Sequence, residues 1–415
     1  MNRTDLSTIT NIIPGFAFKS KDFSSSGDLV VKIKDIKPPY IDIRSCSRVN
    51  TENYDRKKLL KYALGKGDFV VAMTGATIGK VGYHSSDDFL FVNQRVAKFE
   101  PKSGIDKKFV YYCVQQKTFT NFILGRLDSS SAQGNISADG IGKFPVPIFE
   151  YADQQKIASV LSALDAKIEL NNRINTQLEQ IAKILYDYWF VQFDFPDKNG
   201  KPYKSSGGKM VWSEELKREI PEGWEVKKLN KRVKIGSGYS FKSEDYDDSG
   251  QYKVITIKSV QDSSLDTEKT DRIDFIPEKI PPFCILEIGD VLMSLTGNVG
   301  RMCFVDEENL LLNQRVGKLL AEPAFVYFGY LFFLRAENRM KLERISGGSS
   351  QSNLSPVDAV KIKFAEPESS VMNTFHKKID PIFQMLIKNK AENQKLAELR
   401  NWLLPMLMNG QVTVQ

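Results

Sequence analysis

The segment GFAFKSKDFSSSG at residues 15–27 returns as GYSFKSEDYDDSG at residues 238–250, and this repetition decides the architecture of the chain. Three further blocks recur in the same order, about 220 residues apart: GDFVVAMTGATIGK (67–80) as GDVLMSLTGNVGR (289–301), VNQRVAK (92–98) as LNQRVGK (312–318), and SSSAQGNIS (129–137) as GGSSQSNLS (347–355). Chance does not place four blocks in one order. The chain is therefore an internal duplication of two similar domains.

Each copy ends in a helical stretch, at residues 152–190 and 370–409, where apolar residues alternate at steps of four and three. Asparagines interrupt the two apolar seams at matching places, Asn171 and Asn175 in the first and Asn389 and Asn393 in the second. Antiparallel pairing would bring Asn171 opposite Asn389, where a buried polar pair would set the helix register. The alternative is that these amides face water.

The predicted fold class is α+β. Two tandem mixed α/β domains are each followed by a long helix, and the two helices pair as an antiparallel coiled coil with pseudo-two-fold symmetry. Short apolar runs separated by turn residues indicate strands, and a helix is expected near residues 106–126 and again near 324–345. The boundaries that follow are domain 1 at 1–150, helix 1 at 151–190, a connector at 191–225, domain 2 at 226–368 and helix 2 at 369–415. Only about 14 residues precede Gly15, so an abbreviated capping strand is expected in domain 1.

Composition excludes several classes of protein. The 415 residues are 41% hydrophobic and 26% charged, which is typical of folded globular domains and not of disorder. No apolar run is long enough to span a membrane and the start lacks the pattern of a secretory signal, so a cytoplasmic protein is expected. The four cysteines form no CxxC pair and there are only two histidines, which argues against a metal site or a disulfide framework. A net charge of +7 suits a polyanionic partner but does not require one.

Three short motifs resemble catalytic signatures, but residue type argues against the first, position in the chain against the second and spacing against the third. KPPY at 37–40 is close to an amino-methyltransferase motif, but lysine cannot accept the hydrogen bonds of the amine. Asp197, Glu215 and Lys217 fit a loose PD…ExK nuclease pattern, although they fall in the connector, where solvated charges are the simpler interpretation. TGATIGK at 74–80 lacks the spacing of a phosphate-binding loop. We therefore expect no catalytic residue and no metal ligand.

Polar turns repeated in both halves are the candidate contacts to DNA. The TG turn and its basic residue would offer amides and a cation to a phosphate, unless the turn is a plain hairpin that needs glycine. The Asn-Gln-Arg triplet can read adenine and guanine edges, but because it is identical in both halves we favour internal bracing or phosphate contact. The Lys-Ser pairs and the Ser/Gln-rich loops are further candidates, with an exposed charge or a plain surface loop as the alternative. The candidates are Lys19, Ser20, Thr74, Lys80, Gln94, Arg95, Ser130 and Gln133 in the first half, and Lys242, Ser243, Thr296, Arg301, Gln314, Arg315, Ser350 and Gln351 in the second.

Nearly the whole chain resembles the specificity subunit of Type I restriction-modification systems. The resemblance rests on GFAFKS and GYSFKS, the GD…TG blocks, the two NQR triplets, QGNIS and QSNLS, the helical run beginning QQKIASVLSALDAKIEL, and the entry IPEGWEVKKL. It implies a non-catalytic subunit with two target-recognition domains that read a bipartite site in double-stranded DNA.

The resemblance also implies partners. The long helices would dock two methyltransferase subunits, and endonuclease/translocase subunits would join them. S-adenosylmethionine, ATP and magnesium would be bound by those partners, and this chain would bind no cofactor. Two alternatives are a stand-alone nuclease that uses Asp197, Glu215 and Lys217, and a scaffold whose domains bind protein.

Overall fold

The computed structural model describes residues 2–127, 134–347 and 353–414. The chain divides into two compact units, Met1–Ala166 with Ala397–Gln415, and Lys167–Leu396. Each unit therefore holds one β-rich domain together with parts of both long helices.

Domain 1 is built on two sheets. Its strands are β1 (Arg3–Asp5), β2 (Thr10–Pro14), β3 (Phe23–Ser24), β4 (Asp28–Val31), β5 (Ile36–Lys37), β6 (Tyr40–Ile41), β7 (Ser47–Val49), β8 (Ala63–Leu64), β9 (Phe69–Ala72), β10 (Val81–Tyr83), β11 (Leu90–Val92), β12 (Val96–Pro101) and β13 (Pro145–Pro147). One sheet has the order β2-β12-β9-β10-β6-β5 and the other β3-β7-β4-β11-β8, while β1 pairs with β13. Its helices are α1 (Leu6–Ile9), α2 (Arg56–Leu60), α3 (Lys107–Gln115), α4 (Lys117–Leu124) and α5 (Ala138–Gly142).

The core of domain 1 has two layers. Apolar residues of both sheets, such as Val31 and Val92 on one and Val70 on the other, pack between them. On its opposite face, the six-stranded sheet packs Phe69 against helix residues that include Phe109. Because β9 lies between these layers, all four of its residues are buried, which explains its unbroken apolar run.

The helix α6 (Tyr151–Tyr186) follows domain 1 and continues as a π-helical turn at Asp187–Val191. The residues of the predicted connector, 191–225, are themselves folded. They form a hairpin of β14 (Met210–Ser213) and β15 (Arg218–Pro221), and they bury Phe193, Phe195 and Trp224 in an aromatic cluster. Burial of three large rings offsets the entropy that a Gly- and Ser-rich segment loses on folding.

Domain 2 repeats the topology of domain 1. Its elements are β16 (Glu225–Lys228), β17 (Val233–Ser237), β18 (Tyr252–Ile255), β19 (Arg272–Ile273), β20 (Ile285–Leu286), β21 (Val291–Ser294), β22 (Met302–Phe304), β23 (Leu310–Leu312), β24 (Val316–Ala321), α7 (Pro323–Leu334), α8 (Ala336–Ile345), α9 (Pro356–Ala359) and β25 (Lys363–Glu366). The orders β17-β24-β21-β22 and β19-β18-β23-β20, with β16 paired to β25, match the corresponding strands of domain 1. The capping strand β1 is present in domain 1 and is one residue shorter than its counterpart β16. Each predicted mid-domain helix is in fact two helices, broken at Gln116 and Arg335, whose backbones are extended.

The final helix, α10 (Ser369–Met408), runs antiparallel to α6. Within the second unit, Asn171 donates to Asn393 Oδ1 (2.9 Å) and Asn389 donates to Asn175 Oδ1 (3.0 Å). The predicted pairing of Asn171 with Asn389 was therefore wrong by one helical turn. The observed register places both asparagines of one helix opposite asparagines of the other. The predicted register would have placed Asn175 opposite Met385.

The ends of the long helices complete the domain cores. Within the first unit, Leu404, Leu407 and Met408 of α10 are buried in the core of domain 1. Within the second unit, Tyr186 and the following π-helical turn are buried in the core of domain 2. Each domain is therefore closed by the helix that follows the other copy of the repeat. No helix in the described part of the chain has the length and hydropathy needed to cross a membrane.

Candidate nucleic-acid interface

The four repeated sequence blocks meet at one place in domain 1, which we call the loop cluster: residues 15–16, 74–75, 93–95 and 134–136. Backbone hydrogen bonds tie the segments together: Phe16 N to Val92 O (2.8 Å), Gln94 N to Phe16 O (3.0 Å), Met73 N to Arg95 O (3.0 Å) and Ile136 N to Met73 O (3.0 Å). Blocks far apart in sequence thus recur together because they form one structure.

Domain 2 builds the same loop cluster from residues 238–239, 296–297, 313–315 and 353–354. The equivalent bonds are Tyr239 N to Leu312 O (2.8 Å), Gln314 N to Tyr239 O (2.9 Å), Leu295 N to Arg315 O (3.1 Å) and Leu354 N to Leu295 O (2.7 Å). The conserved backbone pattern means that the repeated residues hold a common frame, on which differing side chains can be displayed.

Two glycines allow the segments to approach closely. A Cβ atom on Gly15 would lie 2.3 Å from the Asn93 carbonyl oxygen, and one on Gly238 would lie 2.3 Å from that of Asn313. No side chain fits such a gap, so this position must be glycine in both copies.

The Asn-Gln-Arg triplets present exposed side chains. Gln94, Arg95, Gln314 and Arg315 are all exposed, and no hydrogen bond or ion pair joins their side chains to another described residue. Internal bracing, one of the two interpretations that we favoured, therefore does not describe these side chains. Their exposure at the loop cluster leaves them available to a polyanion.

The TG turns differ between the domains in their basic residue. Lys80 is exposed and has no described partner. Arg301, at the equivalent place, is held by a hydrogen bond to Gln261 Oε1 (2.7 Å) and lies 4.0 Å from Asp262. Arg301 is therefore part of the domain's own structure, and Lys80 is the freer cation.

The hydroxyl groups of the two threonines in the TG turns do not face solvent. The hydroxyl oxygens of Thr74 and Thr296 are buried and have no hydrogen-bond partner in the described residues. The backbones of these threonines instead form bridges with Asn135 and Asn353. A phosphate contact at Thr74 or Thr296 would therefore be made by the backbone of the TG turn, as predicted, and not by the hydroxyl groups.

The Lys-Ser pairs are exposed in both domains. Lys19 and Ser20 stand at the start of a short 3-10 helix, as do Lys242 and Ser243. Lys242 Nζ lies 3.2 Å from Glu244 Oε1, and this hydrogen bond raises the pKa of Lys242. The acidic neighbour makes Lys242 a poorer phosphate contact than Lys19. Four further candidates, Ser130, Gln133, Ser350 and Gln351, lie outside the described residues.

The apparent catalytic motifs have structural roles. Asp197 accepts hydrogen bonds from the Asn199 and Lys201 amides, Glu215 pairs with Lys363 (2.7 Å) and Lys217 with Glu214 (2.8 Å). Lys37 of KPPY pairs with Asp42 (2.6 Å) on the surface. In the described ranges, no group of His, Cys, Asp and Glu side chains is arranged to hold a metal ion.

The cysteines are free thiols of low reactivity. Cys113, Cys284 and Cys303 are buried. Burial raises the pKa of all three, and burial beside Asp35 raises the pKa of Cys46 to about 12. Such thiols stay protonated near neutral pH and are poor nucleophiles.

Comparison with known proteins agrees with this duplicated architecture. A family model described as the Type I restriction modification DNA specificity domain matches the chain twice, at residues 3–180 and 221–401. The specificity subunit of the MjaIX Type I restriction enzyme from Methanocaldococcus jannaschii is 26% identical over 333 residues, which cover 79% of this chain and 74% of the relative. That of HindI from Haemophilus influenzae is 24% identical over 408 residues, with 85% and 88% covered.

A solved structure has the same fold. The S subunit of a Type I restriction-modification system from M. genitalium superposes with a TM-score of 0.58 at 17% identity, covering 98% of this chain and 96% of that one.

The loop cluster occurs twice, once in each of two tandem mixed α/β domains, and this architecture is that of a modular DNA-recognition protein. This chain belongs to the family of Type I restriction-modification DNA specificity subunits. Within such a system it is the component that recognises DNA sequence and not the catalytic one.

Proposed function

We propose that this chain reads a bipartite DNA target, with one half-site per domain and an unread spacer between the half-sites. The observation that carries the proposal is that one chain builds the same loop cluster twice, in two separate compact units. Identical frames with different side chains suit two different half-sites, and the shared Gln and Arg side chains would contact phosphate. Specific base contacts would come from positions where the copies differ.

We further propose that the long helices dock two methyltransferase subunits and that endonuclease/translocase subunits join this assembly. Exposed apolar side chains support two docking patches at equivalent places in the repeat. Ile181 and Ile184 lie ten and thirteen residues after Asn171, and Leu399 and Trp402 lie ten and thirteen after Asn389. Their exposed fractions are 51% and 68%, and 43% and 57%. Paired apolar side chains left in water at matching sites favour two copies of one partner.

In this assembly the chemistry belongs to the partners. S-adenosylmethionine would be bound by the methyltransferase subunits, and ATP and magnesium by the translocating subunits. The present chain would determine the DNA sequence at which they act.

The test is to sequence methylated bases in the source genome and to footprint the derived motif with the chain and its methyltransferase partner. Two protected segments separated by an unprotected spacer are expected, and one contiguous protected site would refute the bipartite proposal. Exchange of residues 1–150 for the equivalent domain of a relative should change one half-site only, and a change in both would contradict modular reading.

A further inference from the structure

The two domains differ in charge around the segment that follows the repeated Gly-aromatic turn. In domain 1 an open cavity of about 440 Å³ is lined by Phe23, Ser24, Ser25, Lys32, Ser47 and Arg48, together with Cys46. In domain 2 the aligned segment, in which Tyr246 takes the place of Phe23, lines a different cavity of about 660 Å³ with Glu244, Asp245, Asp247 and Asp248, and Asp274 supplies a fifth carboxylate. We call these the basic pocket and the acidic pocket.

The basic pocket adjoins the loop cluster. The carbonyl of Val31, the residue before Lys32, accepts a hydrogen bond from the Asn93 amide (3.0 Å). The carbonyl of Ile33, the residue after it, accepts one from the Thr77 hydroxyl of the TG turn (3.3 Å). Lys32 is therefore held between two segments of the repeated frame, on the surface proposed to face DNA.

Domain 2 lacks this cation. The Asn313 amide donates to Ile255 O (3.1 Å), as its counterpart does in domain 1, but the next residue is Thr256. The arginine of the basic pocket has a counterpart in domain 2, since Arg48 donates to Gly27 O (2.8 Å) and Arg272 to Gly250 O (2.9 Å). Lys32 and the surrounding serines are thus what distinguishes the basic pocket.

Lys32 forms no direct ion pair. Its Nζ lies 3.6 Å from the centre of the Phe23 ring, and no carboxylate in the described residues forms an ion pair with it. Burial lowers its pKa and the nearby charge of Lys34 lowers it further, while the charge of Asp35 offsets these effects only in part. A partly desolvated ammonium group among hydroxyl donors would gain from a phosphate, because the anion would relieve this unfavourable charge.

We infer that the basic pocket of domain 1 binds a backbone phosphate of its half-site through Lys32, and that domain 2 makes no equivalent contact. The inference rests on the proposed DNA-reading function and adds an asymmetry to it. Domain 2 has the uncharged Thr256 at the position equivalent to Lys32, so the two half-sites are held by unequal numbers of phosphate contacts.

The test compares Lys32→Gln with Lys66→Gln in the complex with the methyltransferase, using a duplex that carries the genomically methylated motif. Lys66 is a matched control because it is exposed and precedes β9, whose other end leads into the TG turn. Because one phosphate contact is lost, the Lys32→Gln complex should bind this duplex about tenfold more weakly than the wild type at 0.1 M salt. The slope of log affinity against log salt concentration should become smaller by about one. Lys66→Gln should match the wild type, and Lys32→Arg should restore binding. Equal affinity and slope for Lys32→Gln and the wild type would overturn the inference.

A second measurement changes the DNA instead of the protein and compares the wild type with Lys32→Gln. Duplexes with single methylphosphonate linkages, each of which removes one backbone charge, are bound to the wild-type complex, after domain exchange has assigned each half-site to its domain. One sensitive phosphate in the domain 1 half-site should lose its effect in Lys32→Gln, with no mirror position in the other half. Mirror-symmetric sensitivity would refute the asymmetry while leaving bipartite reading intact. Absence of two protected segments in the footprint would instead refute the proposed function itself.

Discussion

At the scale of single residues, the loop clusters depend on positions where only the backbone fits. Gly15 and Gly238 allow one strand end to pack directly on the Asn-Gln-Arg turn. The repetition of GF and GY in the sequence therefore reports a steric requirement of the frame and not a contact with DNA. These two glycines build the frame of the interface, and other positions carry the side chains proposed to contact DNA.

Gly15→Ala should destabilise domain 1 by about 1–3 kcal/mol, because the new methyl group collides with a backbone carbonyl that cannot move alone. Hydrogen exchange at the amides of β12 would report the loss. Gly65→Ala is the matched control, since no atom lies within 4 Å of a Cβ there, and it should change stability by less than about 0.5 kcal/mol. Equal exchange in the two variants would contradict the steric argument.

A second prediction concerns pH. Burial raises the pKa of Asp306 to about 6, against the opposing charge of Lys390. The folded pKa lies above the unfolded one, so this group's contribution to stability is complete below about pH 4 and is lost as the pH rises through 6. Relative to the wild type, Asp306→Asn should gain about 1–3 kcal/mol of stability in domain 2 between pH 4 and pH 7.

Urea unfolding followed by tryptophan fluorescence would measure this gain, since Trp189, Trp212 and Trp224 all lie in the unit that contains Asp306. A stability difference between the two proteins that stays constant from pH 4 to pH 7 would argue against a raised pKa.

At the scale of elements, the long helices have an inner and an outer role. The inner seam aligns the asparagine pairs, and Asn171 also donates to Glu392 Oε2 (2.8 Å), which helps to lower the pKa of that carboxyl. These amide contacts favour one register over a shift by a turn. The outer faces carry the two proposed docking patches.

Ile184→Glu should remove one methyltransferase subunit from the assembly, and Ile184→Glu with Trp402→Glu should remove both, because a carboxylate would be buried against an apolar partner surface. Native mass spectrometry of the reconstituted complex would count the subunits. Gln177→Glu adds the same charge to an exposed position of α6 and should leave the stoichiometry unchanged. Full occupancy in the double variant would exclude these patches as the docking surface.

At the scale of the whole molecule, the core of each domain includes residues of the long helix that follows the other copy of the repeat. Leu407 is 1% exposed in the core of domain 1, although more than 250 residues separate it from the last strand of that domain. The stability of the first domain is therefore coupled to the last helix of the chain.

Leu407→Ala should destabilise domain 1 by about 2–5 kcal/mol, the usual cost of a cavity in a packed core. Hydrogen exchange should quicken in β9 and β12 but not in the strands of domain 2. Leu399→Ala, on the same helix but 43% exposed, is the control and should have little effect. Faster exchange confined to domain 2 would show that the end of α10 does not stabilise the core of domain 1.

The sequence by itself determined the duplication, the α+β class, the two long helices and the absence of an intact catalytic motif. These follow from repeated blocks and from apolar periodicity, which are local properties that a linear chain displays. The family followed from the same blocks, since both copies of the loop cluster are built from them.

Only the tertiary structure decided which side chains of those blocks face outward. The threonine hydroxyls turn inward and Arg301 is held by Gln261 and Asp262, while Gln94 and Arg95 remain exposed. The helix register, the folded connector and the charge difference at Lys32 were likewise invisible in the sequence, because each depends on residues that are distant along the chain and meet only after folding. A residue's type limits what it can bind, and its neighbours in space decide whether it is free to do so.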